Sequence, residues 1–206
     1  MKSVVAFVSS ILIATTIVMA NDMAPDALIK SVSGEVLEIV RADRDIQSGN
    51  TKKAADLVER KIAPNFDFLH MTRLALGRDW RQASTEQQKA LANEFQILLV
   101  RTYSRALTEY KNQTIDIKPL ALKVGETDVK VRSEIKQPGA KSIQLDYYLQ
   151  KDTTGWKIYD IEVAGISLVT NYRESFASEV RNSGIDGLLK SLQTKNKSGD
   201  TVAIKK

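Results

Sequence analysis

Three stretches in the middle of the chain alternate apolar and polar residues one for one, and no other feature constrains the fold as tightly. Ile115 and Ile117 alternate with Asp116 and Lys118, and Val129, Val131 and Ile135 with Lys130, Arg132 and Glu134. Ile143, Leu145, Tyr147 and Leu149 alternate with Gln144, Asp146, Tyr148 and Gln150. A period of two turns every apolar side chain to one face of a strand, so each stretch must lay that face on a core. Pro138-Gly139 and Thr153-Thr154-Gly155 stand where hairpin turns belong. A fourth strand runs from Trp156 to Val163, but its parity changes: Trp156 and Ile158 share one phase, Ile161 and Val163 the other. One extra residue near Tyr159-Asp160, a bulge, brings both pairs to the same face.

Helical spacing brackets this meander on both sides. Leu28, Val32, Val36 and Ile39 define a helix from Pro25 to Ile46, and Asn50 caps a second that reaches Ile62 before Pro64. A third runs from about Asp67 to Leu76 and stops at Gly77. Ser84-Thr85-Glu86-Gln87 has the form of a capping box, and it opens a long helix from Thr85 to Tyr110. After Gly165, Leu168, Tyr172, Phe176 and Val180 resume helical spacing, and Ile185, Leu188, Leu189 and Leu192 form a last short helix. Helices segregated from an antiparallel meander predict an α+β fold, with a twisted sheet of about four or five strands wrapped by helices. The chain has 206 residues, 43% of them hydrophobic and 27% charged, which suits one domain with a real core.

The N-terminus reads as an address. Lys2 precedes an uncharged, mostly apolar stretch from Ser3 to Ala20, and Val18-Met19-Ala20 has the small residues of a cleavage site. This pattern predicts a signal peptide over residues 1–20, shorter than a membrane span, and an exported mature chain. Export places the protein in the periplasm if the source is a Gram-negative bacterium. The domain is expected over 21–193. Residues 194–206, with Lys195, Lys197, Lys205 and Lys206 against Asp200, read as a disordered basic tail. Much of the net charge of +5 lies in that tail rather than on a folded face, which argues against a nucleic-acid partner.

Much chemistry is excluded by composition. Without cysteine there are no disulfides, thiolate metal sites or thiol nucleophiles, and one histidine, His70, cannot build a multi-histidine metal cluster. No Gly-rich phosphate loop or calcium-loop spacing is present. No cofactor, metal site or catalytic residue is expected. Asp160 and Glu162 are a carboxylate pair that a reversed strand would turn into a cavity, and they read equally as plain solvent-facing residues. Arg78, Arg81, Arg101 and Arg105 read as solvated helix faces, or as contacts for phosphate or a partner.

Two blocks carry a family resemblance. The first is Phe66-Asp67-Phe68, Leu76-Gly77-Arg78-Asp79-Trp80, Phe95, Leu98 to Tyr103, Leu107 and Tyr110. The second runs from Trp156 through Gly165 to Leu168, then Asn171-Tyr172-Arg173 and Phe176. In order and spacing, over roughly Pro25 to Leu192, they resemble the MlaC family of periplasmic phospholipid-binding proteins, the toluene-tolerance auxiliary family. Ala164 departs from the Glu that more often precedes the glycine there.

The resemblance implies a cone-like sheet, similar to cystatin-like and NTF2-like folds, with a helical subdomain. It also implies a soluble carrier without catalytic activity that holds phospholipid acyl chains in an apolar cavity. Such a carrier shuttles lipid between an outer-membrane lipoprotein–porin complex and an inner-membrane ABC transporter with an MCE-domain subunit, and so maintains outer-membrane lipid asymmetry. The candidate cavity residues are Leu98, Tyr103, Leu107, Tyr110, Val131, Ile143, Leu145, Tyr147, Leu149, Ile161, Val163, Tyr172 and Phe176. The space is expected between the sheet and the helix from Thr85 to Tyr110. A carrier or chaperone for another apolar ligand, a small cone-fold enzyme, and a non-catalytic envelope-complex binding module are the competing classes.

Overall fold

A computed structural model describes residues 23–110 and 112–198. The expected signal peptide and the last eight residues of the expected tail lie outside that range. Five antiparallel strands form one sheet in sequence order: β1 (Thr114–Ile117), β2 (Asp128–Lys136), β3 (Ile143–Asp152), β4 (Gly155–Val163) and β5 (Ile166–Ser167). The expected bulge is present. Tyr148 pairs with Asp160 but Leu149 with Ile158, so Tyr159 is the extra residue and the parity of β4 reverses around it.

Register then assigns the faces. Ile117 opposes Ser133, Val131 opposes Tyr147, Tyr147 opposes Ile161, and Leu145 opposes Val163. All the apolar residues of the three alternating stretches therefore share one face, and Asp146, Tyr148, Asp160 and Glu162 share the other.

Among the described residues there are six α-helices: α1 (Pro25–Ala42), α2 (Arg44–Gln47), α3 (Thr51–Leu57), α4 (Phe68–Leu76), α5 (Thr85–Thr108) and α6 (Leu168–Ser198). The first expected helix is broken at Asp43. Its extended backbone lets its carboxylate accept from the Asp45 and Ile46 N–H groups while pairing with Lys53 at 2.7 Å. A side chain that caps a new helix competes with continuing the old one. The second expected helix keeps α geometry only to Leu57 and is a π turn over Val58–Ile62, closed by Ala63 N–H on Val58 O, and Pro64 has no N–H to resume the α ladder beyond it. The capping box of α5 has formed, with Ser84 N–H donating to Gln87 Oε1 at 2.8 Å and Gln87 N–H to Ser84 Oγ at 3.2 Å.

The tail boundary at Gln193 needs correction. After a kink at Gly184 (φ 68°), α6 continues through Ser198. Asn196 Nδ2 donates to Glu94 O and Oε2 on α5, at 2.9 and 2.7 Å, while the Arg101 guanidinium donates to Lys195 O at 3.0 Å and to Asn196 O. Residues 194–198 thus form the last turn of α6 and belong to the folded domain.

Packing divides the core into three clusters. One joins α4, α5 and α6 around Phe95, whose ring meets Tyr172 and Phe176 edge-on at 5.0 and 5.1 Å. A second lies on the apolar face of the sheet, and a third joins Val36 and Val40 of α1 to Ile46, Ala54 and Leu57. Phe66 packs against the first two.

Candidate apolar ligand site

The apolar face of the sheet changes character along its length. Val129, Val131, Tyr147, Leu149, Trp156 and Ile158 are buried, closed over by Leu28 and Ile29 of α1 and by Phe66. Toward the β2–β3 hairpin the cover thins: Ile135, Leu145, Ile161 and Val163 are half-buried, and Ile143 is 43% exposed. One continuous apolar surface is thus packed at one end and partly open at the other.

The expected facing helix is corrected by this arrangement. Against the sheet lie α1, which meets β1 and β2, and α4 and α6, which meet β4, whereas α5 packs on α3, α4 and α6. Both α1 and α5 have an apolar stripe, and spacing alone does not say which stripe meets the sheet.

The thirteen candidate residues fall on different walls. Val131, Leu145, Tyr147, Leu149 and Ile161 come together in the sheet cluster, and Val163 flanks them opposite Leu145. Ile143 stands at the exposed end. Leu98, Tyr172 and Phe176 are buried within the helical cluster, with Tyr103 against its edge. Leu107 and Tyr110 pack beside Val32 and Ile39 at the third cluster. The sequence reading missed Leu28 and Ile29 of α1, and Phe66, as residues over the sheet. The helical period of α1 was visible, but not its position over the sheet.

Polar groups within these walls are few. Burial raises the Tyr147 phenol to about 12, with Ser33 of α1 and Ser133 beside it. The Ser133 hydroxyl itself donates to Leu145 O at 2.5 Å. Burial also raises the Tyr103 and Tyr172 phenols, and the Tyr172 hydroxyl sits beside both Tyr103 and Thr102, whose buried hydroxyls make no well-formed hydrogen bond. The Tyr110 hydroxyl accepts from Arg41 Nε at 2.6 Å and donates to Gln113 O at 2.9 Å.

The carboxylate pair does not enter the apolar space. Asp160 sits at the bulge and accepts from the Ser167 hydroxyl (2.5 Å) and the Ile161 and Val169 N–H groups (2.8 and 3.1 Å), thereby capping the start of α6. Burial still raises its pKa. Glu162, on the same polar face of the sheet, accepts from Tyr148 OH at 2.6 Å and Lys130 Nζ at 3.3 Å, contacts that lower its pKa. Lys130 also pairs with the fully buried Asp146 at 2.8 Å. His70 stacks on Tyr159 with ring centroids 4.6 Å apart. Among the described residues, no group of acidic and histidine side chains could hold a metal ion, and no helix is long and apolar enough to cross a membrane.

An antiparallel meander whose apolar face is closed over at one end and half-open at the other, with few polar groups within, is an architecture suited to apolar ligands. The family model for the MlaC protein matches residues 30–194, and the chain belongs to that family. It is 27% identical over 191 residues to the intermembrane phospholipid transport system binding protein MlaC of Haemophilus influenzae, covering 86% of this chain and 89% of the relative. It is 23% identical over 163 residues to the toluene tolerance protein ttg2D of Pseudomonas putida, covering 79% and 75%. Among solved structures it superposes with a TM-score of 0.77 on a phospholipid-binding protein from Ralstonia solanacearum in complex with a phospholipid. That pair shares 38% identity and covers 84% of this chain and 97% of the other.

Proposed function

We propose that this protein is a periplasmic phospholipid carrier that shields acyl chains against the apolar face of its sheet. The observation that carries this reading is the likeness, over nearly the whole of its length, to a relative bound to a phospholipid. The chains enter where the cover thins, past Leu145, Ile161 and Val163, with Ile143 at the rim. Val131, Tyr147 and Leu149 back them, and the helical residues Leu98, Tyr103, Leu107, Tyr110, Tyr172 and Phe176 support the opposing walls. The buried hydroxyls of Tyr103, Thr102 and Tyr172, grouped at the edge of the helical cluster, are the polar groups placed to turn toward the ester or phosphate oxygens of a lipid.

The energetics suit a carrier. Each methylene removed from water contributes roughly 0.8 kcal/mol, so two acyl chains in water would be held almost irreversibly. Transfer from a bilayer exchanges one apolar environment for another, and most of that term cancels. An apolar wall that matches the membrane to within a few kcal/mol suffices, and no catalytic group is required. Family membership further supports exchange with an outer-membrane lipoprotein–porin complex and an inner-membrane ABC transporter bearing an MCE-domain subunit, in service of outer-membrane lipid asymmetry.

Mass spectrometry of an organic extract of the purified protein tests the reading. Co-purifying phospholipid near one molecule per chain is expected. An extract free of lipid, from protein that also fails to take lipid from vesicles, would overturn it.

A further inference from the structure

Away from the sheet, the end of α4, the 3-10 turn after it and α6 enclose an open groove of about 500 Å3. It is lined by Arg73, Leu74, Gly77, Arg78, Arg81 and Arg173. Local geometry assembles it. Gly77, at φ 57° and ψ −121°, turns the chain sharply while its N–H caps Arg73 O. The 3-10 run Gly77–Gln82 then sets Arg78 and Arg81, three residues apart, on one side. Arg173 arrives from α6 and donates from Nε and Nη2 to Leu74 O at 3.3 and 3.1 Å, which fixes its guanidinium across the α4 terminus.

Charge in this groove is not balanced. All four arginines are exposed, and among the described residues none forms an ion pair with a carboxylate. The chain has 19 lysines and 11 arginines, yet every cation at the groove is an arginine. The guanidinium is the side chain whose planar fork matches phosphate oxygens two at a time. Three forks with free edges, beside Arg173 whose Nε–Nη2 edge is held by Leu74 O, suit a surface that presents several phosphates. Leu69, 48% exposed and one helical turn before Arg73 on α4, adds an apolar side chain beside the cations. Basic side chains next to an exposed apolar one are the composition of a membrane-surface contact.

We propose that the Arg73–Arg78–Arg81–Arg173 groove seats the protein on a bilayer surface by binding the phosphates of anionic phospholipid headgroups. The groove is separate from the sheet-lined space, so this docking stands or falls independently of what the apolar site carries.

Co-sedimentation with phosphatidylcholine vesicles, with and without phosphatidylglycerol, tests it using the full chain and the R78E/R81E variant. Arg173 is left intact because it caps α4. The wild type is expected to partition onto the anionic vesicles only, and to be released at high salt. The variant should partition at least about tenfold less, from roughly 1 kcal/mol for each basic residue at such a surface. Its thermal melt and co-purified lipid should match the wild type, which separates loss of docking from loss of cargo. Equal partition onto neutral and anionic vesicles, or undiminished binding by R78E/R81E, would overturn the proposal. So would release by millimolar inorganic phosphate at constant ionic strength, which marks a soluble-anion site, or tighter arginine-dependent binding to poly-glutamate, which marks an acidic-protein site.

Discussion

Leu145 on β3 stands directly opposite Val163 on β4, and both are half-buried, whereas Leu149 and Ile158, further along the same two strands, are buried. The apolar face is therefore a finished core at one end and an unfinished one at the other. In a sheet this small, such a gradient separates residues that hold the fold from residues free to meet a ligand.

Leu145→Trp tests that division. In a dense core the added bulk would cost roughly 1–3 kcal/mol. At the partly open end the ring has room that lipid would otherwise take. Lipid per chain should fall while the melting temperature stays close to wild type, read by extract mass spectrometry beside a thermal melt. The control Leu149→Ala, in the closed region, should lose about 2–5 kcal/mol of stability.

The polar face of the sheet carries a different liability. Asp146 is fully buried, and Lys130, 31% exposed, is its cation at 2.8 Å. Hydrogen bonding to Asp146, foremost, raises the Lys130 pKa, so this contribution is complete below the unfolded lysine value and fades as pH rises through the folded one. Lys130→Met strands a buried carboxylate, and because Lys130 is partly exposed the loss should be about 3 kcal/mol, the lower end for breaking a buried pair. Chemical denaturation at neutral pH measures it, and Lys130→Met combined with Asp146→Leu should recover much of it.

Strand parity made the sheet legible down to its bulge, because Trp156 and Ile158 on one phase and Ile161 and Val163 on the other admit few solutions. The break at Asp43 was hidden, since the apolar spacing of Val36, Val40 and Ile46 runs through it and only the competing side-chain cap ends α1. The helix over the sheet was hidden for another reason: α1 and α5 are both amphipathic, and the choice between them is made by tertiary packing. Arg78 and Arg81 could be noticed as a local pair. Their grouping with Arg73 and Arg173 depends on α6 returning to the end of α4, which no local pattern records.

The corrected end of α6 gives a stability prediction. Truncation after Gln193 deletes Asn196, which bridges to Glu94, and the carbonyls that receive Arg101. Losing these bonds leaves Arg101 and Glu94 without their partners at a cost of about 2 kcal/mol. For a domain of this size the melting temperature should fall by roughly 4–8 °C. Asn196→Ala alone should produce part of that fall.

His70 is the one histidine, so its titration can be read without ambiguity. Burial, and then the charge of Arg73, hold its pKa below the ordinary value of 6.5. The unfolded chain binds that proton more readily, so the contribution to stability is complete above pH 6.5 and is lost as pH falls through the folded value. NMR of the imidazole should give a midpoint under 6.5, and Arg73→Gln should move it upward. His70→Phe, which keeps a ring against Tyr159, should flatten the pH dependence of stability in that window.

The tight turn between β4 and β5 holds the described non-glycine residue with a left-handed backbone, Ala164 at φ 50°, followed by Gly165 at φ 84°. Positive φ at both central positions is the mirror-image turn that suits a two-residue hairpin, and it favours Asn-Gly or Gly-Gly over Ala-Gly. The Cβ of Ala164 costs about 1–2 kcal/mol in that region. Glycine removes the strain but gives back roughly 0.4–1 kcal/mol through the greater freedom of the unfolded chain. Ala164→Gly should therefore stabilise by about 0.5–1 kcal/mol, raising the melting temperature by roughly 1–4 °C. Ala164→Val, β-branched at the same φ, should lower it instead. Because Val163 and Ile166 pair across this turn, the Val variant should also loosen the open end of the apolar face, read as faster amide exchange at Val163.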